Sequence, residues 1–74
     1  MSKNYKLIQA REEVGLTQKE MALKLSLNLT SYVYKENGKR KIWVKEANEI
    51  ITVLNETAEN KNLKVSYDYD KIFL

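Results

Sequence analysis

The most constraining stretch of this 74-residue chain runs from Gly15 to Lys41, GLTQKEMALKLSLNLTSYVYKENGKRK. Thr17 has the side-chain oxygen of an N-cap, and Glu20 stands three residues later, where a capping box needs it. Met21, Ala22 and Leu25 follow at helical spacing, with Leu23 at the edge of their stripe. Asn28 offers a second N-cap, and Asn37-Gly38 accepts the left-handed geometry that closes helices. The spacing predicts a helix over Gln18 to Leu25, a tight turn, and a second helix over Leu29 to Glu36. That is a helix-turn-helix pattern, followed by a basic loop.

The flanking residues read as support. Asn4 caps an expected first helix from Tyr5 to Val14, whose Leu7, Ala10 and Val14 share one face beside Ile8 and Arg11. Val44, Ala47, Ile50, Ile51 and Leu54 trace the stripe of a fourth helix, Val44 to Glu56, with Lys45, Glu46 and Glu49 opposite. Trp43, just before it, is expected to be a core or lid residue; a DNA contact is the alternative. A polar stretch, ETAENKN, then reads as a frayed helix end or linker. Beyond it Leu63, Val65, Tyr67 and Tyr69 alternate with Lys64, Ser66, Asp68 and Asp70, the pattern of a half-buried strand. A lone strand leaves its backbone groups unpaired. The expected partner is the same strand of a second copy, with irregular packing on the chain's own helices as the alternative. Leu63, Val65, Tyr67, Tyr69, Ile72 and Phe73 would then form the dimerisation surface. The fold class expected is mainly α: four to five helices in residues 1–56, then a C-terminal β-strand extension in residues 57–74.

Composition narrows the chemistry. With neither Cys nor His, disulfides, the usual zinc ligand sets and His-activated nucleophiles are excluded, and no metal or cofactor is expected. Asp68 and Asp70 read as solubilising residues on a strand's outer face, so an enzyme is not expected. Apolar runs are too short for a membrane span or a signal peptide, which points to a cytoplasmic protein. Net charge is +3, unevenly placed: residues 1–41 hold nine Lys/Arg against four Glu, and residues 42–74 hold four Lys against six acidic residues. Positive charge therefore gathers on the helix-turn-helix half, the footprint of phosphate binding.

AREEVGLTQKEMALKL, the later KENGKR and the Val44–Asn55 stretch together resemble the phage Cro/repressor (XRE-type) helix-turn-helix family. The likeness covers residues 5–55, roughly two thirds of the chain. It implies a compact lambda-repressor-like domain that binds operator DNA as a homodimer, with the third helix in the major groove. Carried over onto matching positions, Asn28, Leu29, Thr30, Val33 and Tyr34 would face the bases. Thr17, Gln18 and Lys19 at one helix end, and Asn37, Gly38, Lys39, Arg40 and Lys41 in the loop, would hold phosphates. Arg11 and Glu36 match a pair that forms an internal salt bridge. Three residues depart from the family pattern: Ser26 replaces the turn Gly, Tyr32 replaces Ile or Val, and Lys35 replaces an apolar residue. They allow a rotated third helix in which Val33 takes part of the core role. Its apolar face also leaves room for a second function, a protein-interaction module such as an antitoxin or anti-repressor that grips its partner through the tail.

Overall fold

The computed structural model describes residues 3–74 and contains five helices there: α1 (Tyr5–Glu13), α2 (Gln18–Lys24), α3 (Leu29–Glu36), α4 (Val44–Asn60) and α5 (Tyr69–Phe73). The first four owe their ends to one repeated device. Each stops at a residue of positive φ, namely Gly15 (77°), Ser26 (58°), Gly38 (79°) and Asn62 (57°). In each case the next amide reaches back to the helix: Leu16 to Arg11 O, Leu27 to Ala22 O, Lys39 to Tyr34 O and Leu63 to Ala58 O. These are Schellman closures, which satisfy the last carbonyls and turn the chain sharply. Side-chain caps start four of the helices, with Asn4, Thr17, Asn28 and Asp68 each accepting from an amide in the first turn. For Thr17 the reciprocal bond from its amide to Glu20 is also present, at 2.9 Å.

The core is built from one face of each helix: Leu7, Ala10 and Val14, then Met21 and Ala22, Tyr32, Ile50 and Leu54, Ala58 and Ile72. α1 packs on α3 and α5, α2 on α3, and α4 on α5. Tyr32 is fully buried while Val33 is half-exposed, so α3 is not rotated to bring Val33 into the core. Lys35, where an apolar residue was the norm, is accommodated by a half-buried ion pair to Glu46 at 3.0 Å. Glu46 also accepts from the Trp43 amide at 3.0 Å, so one carboxylate both caps α4 and ties it to α3.

Four expectations are corrected. No strand forms among the described residues: 63–68 is irregular, and Tyr69 to Phe73 is helical. The physical reason is Asn55, whose side-chain amide takes both ladder bonds of Tyr67, accepting its N–H at 2.8 Å and donating to its carbonyl at 2.9 Å. α4 continues through the polar stretch to Asn60, with Thr57 and Ala58 buried, so the boundary expected after Glu56 falls inside a helix. Ile72 sits in the chain's own core at 3% exposure, which removes it from a docking surface, and Tyr67 and Phe73 pack partly against that core. Trp43 is neither core nor lid. It is 61% exposed beside Val44 at the start of α4.

Candidate nucleic-acid interface

Behind the candidate interface lies a buried polar node that joins three helices. The Glu36 carboxylate at the end of α3 accepts from Arg11 Nε at 2.8 Å and Arg11 Nη2 at 3.1 Å. It also accepts from Gln18 Nε2 at 3.0 Å and from the Tyr32 hydroxyl at 2.6 Å. The third Arg11 donor, Nη1, bonds the Leu16 carbonyl in the α1–α2 loop at 2.8 Å. Burial alone would push the Glu36 carboxyl up; the bonds from Arg11, Tyr32 and Gln18 outweigh it and hold the group below the usual carboxylate range. The bonds to Glu36 raise the Arg11 guanidinium in turn. Burial, then the bond to Glu36, pushes the Tyr32 phenol well above its ordinary value. α1, α2 and α3 thus meet on one fully hydrogen-bonded carboxylate, as the Arg11–Glu36 expectation required and with two partners it did not include. Tyr32 and Glu36 stand four apart on a helix, a spacing that lets their side chains meet, but their burial together depends on α1 and α2. The Gln18 partnership was not legible, since it crosses between helices.

With Tyr32 and Glu36 facing inward, helical geometry sends Thr30 and Tyr34 outward, flanked by Ser31 on one side and Val33 on the other. Asn28, Leu29, Thr30 and Tyr34 are exposed, and Val33 is partly so. Of the five residues expected to face bases, Thr30 and Tyr34 lie on the open side of α3 with Val33 at its edge, while Asn28 and Leu29 are exposed at the amino end of the helix, where Asn28 Oδ1 is occupied by the Ser31 amide at 2.8 Å.

The expected phosphate ligands divide. Lys19 is exposed at the start of α2, where the positive end of the helix adds to its charge. Thr17 spends its hydroxyl on the Glu20 amide at 3.0 Å; its own amide, donating to the Glu20 carboxylate, and then its side chain hold that carboxyl below its ordinary range. Gln18 is turned inward to Glu36 and half-buried, so its amide is not presented to the outside. In the loop, the amides of Gly38, Lys39 and Arg40 all donate back to the Lys35 and Tyr34 carbonyls. What the loop offers an anion is therefore side-chain charge. Lys39 Nζ and Arg40 Cζ lie 5.4 Å and 5.3 Å from the centre of the Tyr34 ring. Arg40 Nη1 also donates to Ser31 Oγ at 2.9 Å. Lys41 Nζ sits 4.5 Å from the Trp43 ring centre. Ser31 was not among the expected site residues; nothing in its local sequence signals that the loop folds back onto it.

Among the described residues no group of acidic, His or Cys side chains could hold a metal ion, and no helix is long and apolar enough to cross a membrane. No protein-family model, curated protein or solved structure matches this chain.

Proposed function

We propose that this chain binds double-stranded DNA through the outward side of α3, as a sequence-specific transcription regulator of the Cro/repressor kind. The observation that carries this reading is a helix-turn-helix whose open α3 face lies beside Lys39, Arg40 and Lys41, with three helices locked behind it by Glu36. A helix with its side chains is about 10–12 Å across, close to the width of the major groove. Cations beside a docked helix meet the phosphates that line that groove, and release counterions there. The resemblance carried by TQKE and ENGKR agrees in the identity of the two helices. Operator binding as a homodimer belongs to the same reading. Leu63 and Val65, 38% and 42% exposed in the irregular 63–68 stretch, remain available for contact with a second copy.

The test is titration of mixed duplexes at two salt concentrations, repeated with Lys39→Ala/Arg40→Ala. The proposal requires binding that weakens steeply with salt and falls sharply in the variant. Absence of binding at low salt refutes it. A second reading, a protein-interaction module such as an antitoxin or anti-repressor, is favoured by the exposed pair Trp43 and Val44, 61% and 62% exposed. Sedimentation of the full chain and of Leu63→Ser/Val65→Ser separates self-association through the 63–68 stretch from a surface left for other proteins.

A further inference from the structure

The open side of α3 is poor in groups that discriminate bases. Strong discrimination uses a fork of two hydrogen-bonding atoms on one base edge. Thr30 and Tyr34 each carry a single hydroxyl, and Leu29 and Val33 carry none. Asn28 has the right fork, but its Oδ1 holds the Ser31 amide at 2.8 Å, so pairing with adenine through both atoms would break the α3 cap. The loop supplies what α3 lacks. Its Schellman closure brings the Arg40 amide to the Tyr34 carbonyl at 3.2 Å. The guanidinium then lies beside the helix, held by Ser31 Oγ at 2.9 Å and by the Tyr34 ring at 5.3 Å. Ser31 and Tyr34 stand three apart and so share one side of α3.

We propose that Arg40 is the principal base-discriminating residue of this surface and that the base it selects is guanine; the proposal rests on the DNA-binding reading above. One of the five guanidinium N–H groups is spent on Ser31, leaving a planar fork that matches the two acceptors of guanine in the major groove. Contact with Ser31 and the Tyr34 ring restrains the side chain before binding, so less freedom is lost when it docks. Lys39 shares the Tyr34 ring but ends in a compact ammonium with no planar fork, which suits a phosphate contact. Ser31 is a positioning residue for Arg40.

The experiment incubates the full chain with a pool of randomised-sequence duplexes and sequences the bound fraction, for the wild type, Arg40→Ala, Lys39→Ala and Ser31→Ala. The two charge removals are matched, and both residues are exposed, so circular dichroism should show an unchanged fold. Lys39→Ala is expected to bind every duplex more weakly while selecting the wild-type motif. Arg40→Ala is expected to lose preference at one guanine per half-site, by about 5- to 150-fold, the worth of a bidentate pair. Ser31→Ala should erode that same preference in part and leave affinity for unselected duplex unchanged. If Arg40→Ala keeps the guanine and only weakens binding everywhere, Arg40 is a phosphate contact; this proposal fails and the DNA-binding reading stands. Wild-type binding with no enriched sequence overturns the proposal and, with it, the sequence-specific part of the DNA-binding reading. No wild-type binding to any duplex overturns both.

Discussion

Replacing Glu36 with Gln should be among the most damaging isosteric changes in this chain. The carboxylate accepts four hydrogen bonds, from Arg11 Nε, Arg11 Nη2, Gln18 Nε2 and the Tyr32 hydroxyl, at 2.8, 3.1, 3.0 and 2.6 Å. A glutamine keeps the shape but turns one oxygen into a donor, and on either side an Arg11 N–H then faces another donor, whereas the Tyr32 hydroxyl or a flipped Gln18 amide can pair again. It also strands the Arg11 charge at 8% exposure without a counterion. Breaking a buried, hydrogen-bonded ion pair by removing one partner costs about 3–5 kcal/mol. A domain of this length holds only about 4–11 kcal/mol in total. The variant should therefore lose about a quarter or more of its stability and melt on the order of 20 °C lower. Urea unfolding followed by far-ultraviolet circular dichroism measures this directly. Arg11→Met/Glu36→Leu supplies the control: with both charges gone, it should be less destabilised than the sum of Arg11→Met and Glu36→Leu, because neither ion is left stranded. A Glu36→Gln cost below about 1 kcal/mol, the size of an ordinary surface change, would refute the claim that this node holds the three helices together.

Ser26 occupies a left-handed position at φ 58°, where a side chain is strained, so Ser26→Gly should stabilise by about 0.5–1 kcal/mol after glycine's entropic cost; a lower thermal midpoint would contradict this. Asn55→Ala removes both bonds to the Tyr67 backbone and should cost about 1–2 kcal/mol. Its signature is faster hydrogen exchange at the Tyr67 amide with α1–α3 unaffected, and unchanged exchange there would argue against the Asn55 clasp. Glu36, Glu46 and Glu20 are all held below the ordinary carboxylate value of 4.5, so their stabilisation is full at neutral pH and is lost as pH falls below it. The urea midpoint should drop on acidification, and a midpoint that rises instead would reverse the sign of the argument. At the other end, burial and then the bond to Glu13 push the Tyr67 phenol from 10.0 up to about 12, so stability should decline above pH 10 and decline less in Tyr67→Phe.

The parts of this fold legible in the sequence are those fixed by local chemistry. Asn4, Thr17 and Asn28 each mark a helix start by an oxygen placed three residues before a free amide. Gly15 and Gly38 mark stops, so α1 to α3 fall within one residue of their expected bounds. The misreadings all involve partners distant in sequence. Alternation in 63–70 fits a strand as well as it fits an irregular stretch followed by a capped turn of helix. Only the Asn55 amide, 12 residues from Tyr67, decides between them. One local signal was present: Asp68 accepts from the Lys71 amide at 2.9 Å, the N-cap spacing already used for α2 and α3. Trp43 was misplaced because size and hydrophobicity suggest burial, whereas α4 starts with Trp43 and Val44 pointing to solvent and Glu46 anchored to Lys35. In the interface, Tyr32 was visible as a departure, but its use as a buried donor to Glu36 depends on α1 and α2 converging there. Gly38 signals that the chain turns back at the end of α3, but the contact of Arg40 with Ser31, nine residues apart, has no local signature.

Amide chemical-shift mapping on adding duplex DNA is the decisive experiment for the proposed docking of DNA on the outward side of α3 and the basic loop beside it. Perturbations are expected to concentrate at residues 28–34 and 38–41 and at Lys19, and to diminish as salt is raised. Perturbations centred instead on Leu63 to Leu74, or none at low salt, would contradict that docking.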